Sequence, residues 1–349
     1  MSGAGEPVLE VSELAVRFAS TGGEVAAVNG VSFAIGRGET LALVGESGSG
    51  KSVTSLAVMR LLPGAPACRV SGAVRLAEPD GKSRELLGLP AEAMCRVRGD
   101  RVSMIFQEPM TSLNPVVAVG EQIAEAIRFH RGAGRREALA AAEALMERVG
   151  IPEPRKRLAS YPHHLSGGQR QRVMIAMALA CDPEVLIADE PTTALDVTVQ
   201  AQILDLLKRL QERTGMAILF ITHNLGVVAE VADRVLVMYA GRVVEEAPVG
   251  PIFRRPLMPY TAGLIASVPR LPTKRAIPIS VEKEGKRRLV AIPGNVPDPL
   301  HLPPGCSFAP RCERAEPGLC DRDVPSVEEA APGHRVRCVR WRELAGSAA

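Results

Sequence analysis

The sequence predicts an α/β fold with a mostly parallel sheet, an antiparallel β part and a helical part. Short apolar runs typical of buried strands alternate with helical segments, which predicts parallel strands joined by right-handed crossovers. Near the N-terminus, apolar and polar residues alternate as in half-buried strands. Between Gln107 and Ser166 the chain is rich in Ala, Glu and Arg at helical spacing, which indicates a helical insertion at about 110–165.

Length and composition are typical of a globular protein that neither spans a membrane nor binds nucleic acid. The chain has 349 residues, 46% of them hydrophobic, and a net charge of +3, so it lacks a basic footprint. Its longest apolar run is about half of the ~18 residues that a membrane-spanning helix needs. Residues 1–7 are small, polar and acidic, unlike a secretory signal, so we expect a cytosolic protein. Seven cysteines in a cytosolic chain favour metal ligands or free thiols over disulfides.

The first third of the chain is predicted to consist mostly of strands. Residues 8–18 alternate apolar and polar side chains, whereas residues 41–44 are continuously apolar, as in a buried parallel strand. A helix is predicted directly after this strand, over residues 53–62. The other strands predicted here cover residues 25–28, 31–35, 69–76 and 101–106.

The second half of the chain is predicted to alternate helices and strands. Ser166 opens a helical run to Ala180, which Asp182 and Pro183 end. Further helices are predicted at 121–130, 135–149, 197–213 and 260–267, and strands at 185–188, 216–221, 235–239 and 242–245. Beyond Pro248 the composition shifts to Pro, Arg and Cys. We therefore predict a main domain of residues 1–255 and an irregular Cys- and Pro-rich C-terminal extension of residues 256–349.

Residues 45–52 fit the phosphate-binding loop pattern G-x-x-x-x-G-K-[ST] between a predicted strand and a predicted helix. The glycines let backbone N–H groups close around phosphate oxygens, and the helix N-terminus adds positive potential. Lys51 is expected to reach the β- and γ-phosphates, and the Ser52 hydroxyl to hold Mg²⁺. The residues predicted to bind nucleotide here are Gly45, Ser47, Gly48, Gly50, Lys51 and Ser52. The alternative, a Gly/Ser-rich turn without a ligand, is disfavoured by the strand and helix on either side.

Two adjacent carboxylates, Asp189 and Glu190, follow the buried strand predicted at residues 185–188. In a parallel sheet, the carboxyl ends of the strands form the edge where ligands bind. We predict that Asp189 holds Mg²⁺, directly or through water, and that Glu190 polarises the attacking water. A general base of this kind contributes about 10²–10⁴ in rate. The alternative is an ordinary acidic turn after a strand.

The stretch Leu-Ser-Gly-Gly-Gln at residues 165–169 is the most discriminating one in the chain. Ser166 is a predicted helix N-cap, and the two glycines after it expose N–H donors at the positive end of the helix dipole. This pattern predicts a second anion site, distant in sequence from the first. The alternative is a glycine-rich helix cap without a ligand.

The order of these motifs resembles that in the nucleotide-binding subunit of an ATP-binding cassette (ABC) transporter, over about residues 8–250. The phosphate loop is followed by Gln107 after a strand, residues 165–169 as the family signature, the Asp189–Glu190 pair, residues 194–196 as the D-loop, and His223 as the switch histidine. The resemblance implies a P-loop ATPase core with an antiparallel β subdomain and a helical signature subdomain. It also implies that two subunits close head to tail around two ATP molecules.

The resemblance further implies roles for individual residues. Each ATP would lie between Lys51 of one subunit and Ser166 and Gly168 of the other, so that hydrolysis requires closure. His223 would contact the γ-phosphate, and Gln107 would link Mg²⁺ and the water to the membrane partner. The implied ATP-binding residues beyond the phosphate loop are Phe18, Ser166, Gly168, Gln169 and Asp196; the implied catalytic residues are Glu190, His223 and Gln107; and the implied Mg²⁺ ligands are Ser52, Gln107 and Asp189.

Three aromatic side chains carry weaker signals. Phe18 is the candidate for the ring that stacks on adenine in this family, but an ordinary core residue at a strand end fits it almost as well. His163 and His164 directly precede the signature. We interpret them as loop residues, because no cysteine or acid is spaced to help them bind metal.

The C-terminal extension resembles that of oligopeptide and dipeptide importer ATPases, specifically the D-type subunit that pairs with a second, similar ATPase. The matching segments are residues 256–264, 292–294 and 304–312, together with residues 108–115 after Gln107. The resemblance implies import of peptides, with nickel and glutathione as open alternatives. The implied partners are the second ATPase, two membrane permease subunits and a periplasmic or extracellular solute-binding protein. The chain would lie peripherally on the cytoplasmic face of the cell membrane.

Four cysteines of the extension have the spacing C-x5-C-x7-C-x17-C. They are Cys306, Cys312, Cys320 and Cys338. Four thiolates can close a tetrahedral metal site, but the C-x2-C spacing of common zinc modules is missing. Some members of the importer group are similar in carrying four such cysteines around a [4Fe–4S] cluster. The cluster is the favoured interpretation, and zinc and unliganded thiols remain open.

Other classes of ATPase fit the sequence less well. A soluble cassette ATPase that acts on DNA or ribosomes usually carries long coiled-coil insertions or two cassettes in tandem, whereas this chain has one cassette. An exporter more often has fused membrane spans. A structural subunit that does not hydrolyse ATP is disfavoured by the intact Glu190 and signature.

Overall fold

The computed structural model describes residues 6–108, 112–193, 195–268 and 292–346, and two sheets form its framework. The strands are β1 (Leu9–Ser20), β2 (Gly23–Ile35), β3 (Thr40–Val44), β4 (Cys68–Ala77), β5 (Ser83–Glu85), β6 (Val102–Ile105), β7 (Val185–Asp189), β8 (Ala217–Thr222), β9 (Arg234–Tyr239), β10 (Arg242–Pro248), β11 (Glu328–Ala331) and β12 (His334–Val336). The larger sheet has the order β11-β12-β10-β9-β3-β8-β7-β6, and the smaller has the order β2-β1-β4-β5.

The larger sheet is mixed and the smaller one is antiparallel. Strands β9, β3, β8, β7 and β6 run parallel, with Leu41 of β3 opposite Leu219 of β8. Strands β10, β12 and β11 continue the larger sheet in antiparallel pairs. This arrangement confirms the predicted α/β class with a mostly parallel core and a separate antiparallel sheet.

Helices surround the larger sheet and form the insertion between β6 and β7. They are α1 (Lys51–Val58), α2 (Ala91–Val97), α3 (Val119–Arg131), α4 (Arg135–Arg148), α5 (Pro154–Arg157), α6 (Gly167–Ala178), α7 (Val197–Thr214), α8 (Leu225–Val231), α9 (Val249–Arg254), α10 (Pro259–Ala266) and α11 (Trp341–Gly346). Among the described residues, no helix has both the length and the apolar character needed to cross a membrane.

Among the described residues, three apolar cores hold these layers together. All residues of β3, β7 and β8 are buried, as expected for parallel strands covered on both faces. One core lies between the two sheets and includes Leu14, and a second joins the sheet to the helical insertion and includes Ile123. The third includes Tyr239 on β9 and Phe308 of the C-terminal extension. The extension therefore shares a core with the larger sheet.

The main differences from the predicted elements lie at short segments. Helix α1 begins at Lys51 and ends at Val58, earlier than predicted, and Arg60 just after it has a left-handed φ of 51°. Helices α8 and α9 and strands β11 and β12 were not predicted, since each has seven residues or fewer and little periodicity. A domain boundary between residues 255 and 256 stays a prediction.

The C-terminal extension joins the larger sheet at β12. Glu245 of β10 lies opposite Val336 of β12. The fully buried Glu245 carboxylate accepts hydrogen bonds from the backbone N–H groups of Leu257 at 2.7 Å and Met258 at 3.1 Å, and it lies 2.8 Å from Nε2 of His334. A single buried carboxylate thus holds together β10, the start of α10 and β12.

Candidate functional site

The predicted site residues meet at one edge of the larger sheet. Strands β3, β8, β7 and β6 run parallel, so their carboxyl ends lie on the same edge. The phosphate loop follows β3, Asp189 ends β7, His223 follows β8, and Gln107 comes two residues after β6. The parallel sheet is therefore the reason that residues as far apart in sequence as Gly45 and His223 can form one site.

The phosphate loop runs tightly against neighbouring backbone. A Cβ atom at Gly45 would lie 2.2 Å from the carbonyl oxygen of Met238, and one at Gly50 would lie 2.5 Å from that of Ala27. Gly50 also has a left-handed φ of 103° as it caps helix α1. Both glycines are required by close approach of the backbone. Phosphate binding by the loop's N–H groups at the N-terminus of α1 stays a prediction.

Lys51 is buried and bonded to the loop itself. Its ammonium donates hydrogen bonds to the carbonyl oxygens of Gly45 at 2.8 Å and Glu46 at 2.9 Å. Burial lowers the pKa of Lys51, while the charges of Glu190, Asp189 and Glu46 act in the opposite direction. The ammonium is thus held at the loop, where a phosphate could replace carbonyl oxygens as its partner.

Ser52 and Asp189, two of the three predicted Mg²⁺ ligands, lie side by side. The Ser52 hydroxyl donates to Oδ1 of Asp189 at 3.2 Å. Asp189 is 4% exposed, and burial raises its pKa above the ordinary value, against the lowering by Ser52 and Lys51. A hydroxyl beside a buried carboxylate is a donor set that suits a hard divalent cation, so these residues fit Mg²⁺.

Glu190 lies at the centre of three side-chain contacts. Its carboxylate accepts hydrogen bonds from the Thr193 hydroxyl at 2.8 Å and from Nε2 of Gln107 at 3.3 Å, and it lies 2.9 Å from Nδ1 of His223. Burial raises the pKa of Glu190, but the hydrogen bonds from His223 and Thr193 outweigh burial and hold that pKa below its ordinary value. The carboxylate is therefore ionised at neutral pH, as a general base requires.

The backbone of Glu190 is strained. Its φ is 47°, a left-handed value that residues other than glycine rarely adopt. Such strain is typical of functional sites, where the surrounding structure holds a side chain in place. The hydrogen bond from the Glu190 N–H to the carbonyl oxygen of Ile221 in β8, at 2.9 Å, fixes this conformation.

The signature starts helix α6 as a capping box. The Ser166 hydroxyl accepts from the Gln169 N–H at 3.3 Å, and the Gln169 side chain accepts from the Ser166 N–H at 3.1 Å. A Cβ atom at Gly168 would lie 2.9 Å from Cγ1 of Val199 at the start of α7. The predicted N-cap is thus present, and the binding of ATP by Ser166, Gly168 and Gln169 stays a prediction.

The remaining predicted residues have clear structural positions. Asp196 caps helix α7, accepting from the Val199 N–H at 2.9 Å, and residue 194 of the D-loop lies outside the described residues. Phe18 lies on β1 opposite Val25 and packs against the core between the sheets. Both its stacking on adenine and the ATP contact of Asp196 stay predictions. His163 and His164 lie in a 3₁₀ turn, with ring centroids 4.2 Å apart.

The four cysteines of the extension line one small cavity. Cys306, Cys312, Cys320 and Cys338 border a volume of about 20 Å³ beside Met258. Burial raises the pKa of Cys338 to about 11, and it also raises the pKa values of Cys306 and Cys312. In the described part of the chain, no group of three or more His, Cys, Asp or Glu side chains is placed to hold a metal ion. The structure therefore gives neither zinc nor a cluster direct support.

Four contacting residues were missed in the sequence. Thr193 bonds to Glu190, and Glu46 of the phosphate loop contacts Tyr260 and Arg311 of the extension. Thr193 lies three residues after Glu190, and a hydroxyl at this short spacing could have indicated a hydrogen bond to the carboxylate. The contacts of Glu46 span more than 200 positions in sequence, so no local pattern indicates them.

Two family profiles match the chain. The profile described as ABC transporter matches residues 28–193, and the profile described as oligopeptide/dipeptide transporter, C-terminal region, matches residues 244–320. A putative peptide import ATP-binding protein of Brucella melitensis is 53% identical over 340 residues, 97% of this chain and 99% of the relative. The oligopeptide transport ATP-binding protein AppD of Bacillus subtilis is 48% identical over 336 residues, 96% of this chain and 97% of the relative. OppD of Mycobacterium tuberculosis is 50% identical over 98% of this chain, which spans 53% of that longer protein.

Solved structures resemble about 70% of the chain. The ATP-binding cassette MJ0796, in a dimeric post-hydrolysis state bound to ADP and Pi, is 27% identical with a TM-score of 0.60, covering 69% of this chain and 98% of that one. The protein cbiO1 of Clostridium perfringens, part of the ABC transporter complex cbiONQ, is 27% identical with a TM-score of 0.59, covering 72% of this chain and 92% of that one.

Proposed function

The chain belongs to the ABC transporter family, among the ATPases with the oligopeptide/dipeptide transporter C-terminal region, and we propose that it powers import of di- and oligopeptides across the cytoplasmic membrane. The single observation that carries the ATPase activity is the meeting of Glu190, Gln107 and His223 beside the phosphate loop. The names of the relatives, which are peptide import and oligopeptide transport ATP-binding proteins, support the substrate class.

Each residue of this site has a distinct task in hydrolysis. Lys51 binds the phosphates of ATP, and Glu190 accepts the proton of the attacking water. Thr193 orients the Glu190 carboxylate, as its hydrogen bond at 2.8 Å indicates. Mg²⁺, held by Ser52 and Asp189 with Gln107 nearby, would neutralise part of the phosphate charge. The ionised state of Glu190 is what allows it to act as base at neutral pH.

The working unit that we propose is a dimer of ATPases on the cytoplasmic face of the membrane. Membrane permeases and a solute-binding protein are the partners expected of a peptide import ATPase. The extension resembles that of subunits paired with a second, similar ATPase, so we expect a heterodimer. Mass measurement of the purified transporter tests this, because two copies of this chain in one complex would contradict the heterodimer.

Peptide uptake is the direct test of the substrate. Cells that lack this chain should fail to take up labelled di- to pentapeptides, and wild type but not Glu190→Gln should restore uptake. Exposed Glu230 supplies the matched control, Glu230→Gln, which should restore uptake fully. Unchanged peptide uptake without this chain, with the partner proteins expressed, would exclude peptides and point to nickel or glutathione.

A [4Fe–4S] cluster is our proposal for the four cysteines of the extension. It is supported by their spacing and by their position around one cavity. A [4Fe–4S] cluster is held by four Cys thiolates, and four cysteines line this cavity. A bound cluster would tie together chain segments that are otherwise irregular.

Iron and sulfide content tests the cluster. Protein purified without oxygen should contain about four iron and four sulfide per chain, as the cluster formula requires. Cys320→Ser should lose both, whereas Cys95→Ser, at an exposed cysteine outside the extension, should keep them. Wild-type protein without iron or sulfide, from cells with adequate iron, would reject the cluster.

A further inference from the structure

Arg311 of the extension is bonded directly to the phosphate loop. Its Nη1 donates to Oε2 of Glu46 at 2.7 Å, and its Nη2 donates to Oε1 at 3.0 Å. This two-point pairing of guanidinium and carboxylate fixes the geometry of both partners. Only 5% of the Arg311 side chain is exposed, against 29% for Glu46. The pair links two residues that are 265 positions apart, one of them within the ATP-binding motif.

Arg311 is itself held firmly in the extension. Its Nε donates to the carbonyl oxygen of Pro293 at 2.9 Å, and its Nη1 also contacts the Tyr239 hydroxyl at 3.3 Å. The guanidinium carbon lies 5.8 Å from the centre of the Tyr239 ring and 5.9 Å from that of Phe308. Because these contacts occupy most of its donors, the guanidinium keeps one orientation toward the loop.

Tyr260 makes a second contact with the same loop residue. The backbone N–H of Glu46 donates to the Tyr260 hydroxyl at 2.9 Å. Tyr260 is fully buried, with its ring 4.6 Å from that of Tyr239 and 5.3 Å from that of Phe308. Two residues that follow β10 in the sequence, Tyr260 and Arg311, therefore hold the backbone and the side chain of Glu46.

The negative charge of Glu46 lies in a loop that is predicted to bind phosphate, so a cation that pairs with it favours phosphate binding. Glu46 lies close enough to Lys51 to raise its pKa by charge, and the Lys51 ammonium already donates to the Glu46 carbonyl oxygen at 2.9 Å. A Glu46 carboxylate without a cation would attract this ammonium and repel phosphate oxygens. Arg311 holds the carboxylate by both oxygens and offsets its negative charge, which weakens this competition.

We propose that Arg311 is a positioning residue for ATP binding, which holds the Glu46 carboxylate so that Lys51 remains available to the phosphates. The extension is then part of the nucleotide site, because Arg311 and Tyr260 both hold Glu46. This inference rests on ATP binding by the proposed ATPase and is independent of the transported solute.

Nucleotide titration tests the proposal. ATP affinity is measured on the purified chain in the Glu190→Gln background, which prevents turnover. Arg311→Met should weaken ATP binding about tenfold, a coupling of ordinary size between neighbouring sites. Arg314→Met removes an exposed arginine three residues away and should leave the affinity unchanged. If Arg311→Met binds ATP with the affinity of the wild type, the proposal is overturned. Peptide uptake tests the transported solute and is not a readout of this proposal.

A double variant separates positioning from simple loss of structure. If the unpaired Glu46 carboxylate is the cause of the weak binding, Arg311→Met with Glu46→Gln should regain most of the lost affinity. A double variant that binds as weakly as Arg311→Met would reject the role of Glu46. Should Arg311→Met fail to fold, Arg311→Lys, which keeps the charge but loses the two-point pairing, takes its place. It is expected to bind ATP about fivefold more weakly, and unchanged affinity would again overturn the proposal.

Discussion

Nδ1 of His223 lies 2.9 Å from Oε1 of Glu190, although the two residues follow different strands and are 33 positions apart. The contact arises because β7 and β8 are parallel neighbours that end at the same edge of the sheet. It holds the carboxylate beside the phosphate loop, in an orientation that Thr193 also supports. The ATP hydrolysis expected at this site requires the Glu190 carboxylate as its base.

Replacing Glu190 by Gln should abolish turnover without loss of ATP binding. Gln keeps the size of the side chain but cannot accept a proton at neutral pH, so the hydrolysis rate should fall by about 10²–10⁴. The rate is measured in the assembled transporter, with Glu230→Gln as the control for a lost surface carboxylate. Hydrolysis at the wild-type rate in Glu190→Gln would refute the role of Glu190 as base.

Replacing Lys51 by Ala should weaken the binding of ATP itself. The variant loses a charge-assisted bond to phosphate worth about 1.5–3 kcal/mol, which corresponds to about 10- to 150-fold in affinity. Titration of the purified chain with nucleotide measures the loss. Lys208 is exposed on α7, so Lys208→Ala should bind ATP normally. Equal affinity in Lys51→Ala and wild type would show that the ammonium does not contact the phosphates.

The buried pair of His334 and Glu245 should stabilise the attachment of the extension. His334→Ala leaves the fully buried carboxylate with only its two backbone donors, so the free energy of unfolding should fall by about 2 kcal/mol. Urea denaturation measures this value. Arg335→Ala alters the next residue of β12, whose side chain is 56% exposed, and should lower the free energy of unfolding by much less. Equal effects of the two substitutions would contradict the importance of the buried pair.

The ion pairs of Glu184 should make stability depend on pH. Burial raises the pKa of Glu184, but hydrogen bonds from Arg101 and Arg37 outweigh burial and hold that pKa below its ordinary value. The resulting stabilisation is complete above the pKa of an unfolded glutamate, about 4.3, and is lost as the pH falls through the lower pKa of the folded protein.

Glu184→Gln is the variant that isolates this contribution. It should reduce the free energy of unfolding by roughly 1–2 kcal/mol at neutral pH, and the difference from wild type should shrink as the pH is lowered. Urea denaturation between about pH 7 and about pH 3 follows the change, because the contribution is lost below the pKa of an unfolded glutamate, about 4.3. Glu212→Gln, at an exposed carboxylate of α7, should remain close to wild type throughout. A difference that grows toward acid pH would contradict the assignment.

The strands and helices with strong local signals were predicted well. The apolar run of β3, the helical spacing of α3 and α4, and the Ser166 N-cap of α6 are encoded by residues that are consecutive or one turn apart. For the same reason the phosphate loop and the Asp189–Glu190 pair could be recognised, and the parallel sheet brings both to one edge.

Short elements and distant partners could not be predicted in this way. Strand β12 has three residues, and only its pairing with β10 makes it a strand. The four cysteines were recognised by their spacing, yet the cavity between them depends on how the whole extension folds.

The sequence by itself determined the fold class, the nucleotide-binding motif and the candidate base, because local spacing and side-chain chemistry are sufficient to specify them. Only the tertiary structure decided that Arg311 and Tyr260 of the extension hold Glu46 of the phosphate loop. The physical reason is that these hydrogen bonds, across 214 and 265 positions, depend on the third core, which packs the extension against the larger sheet.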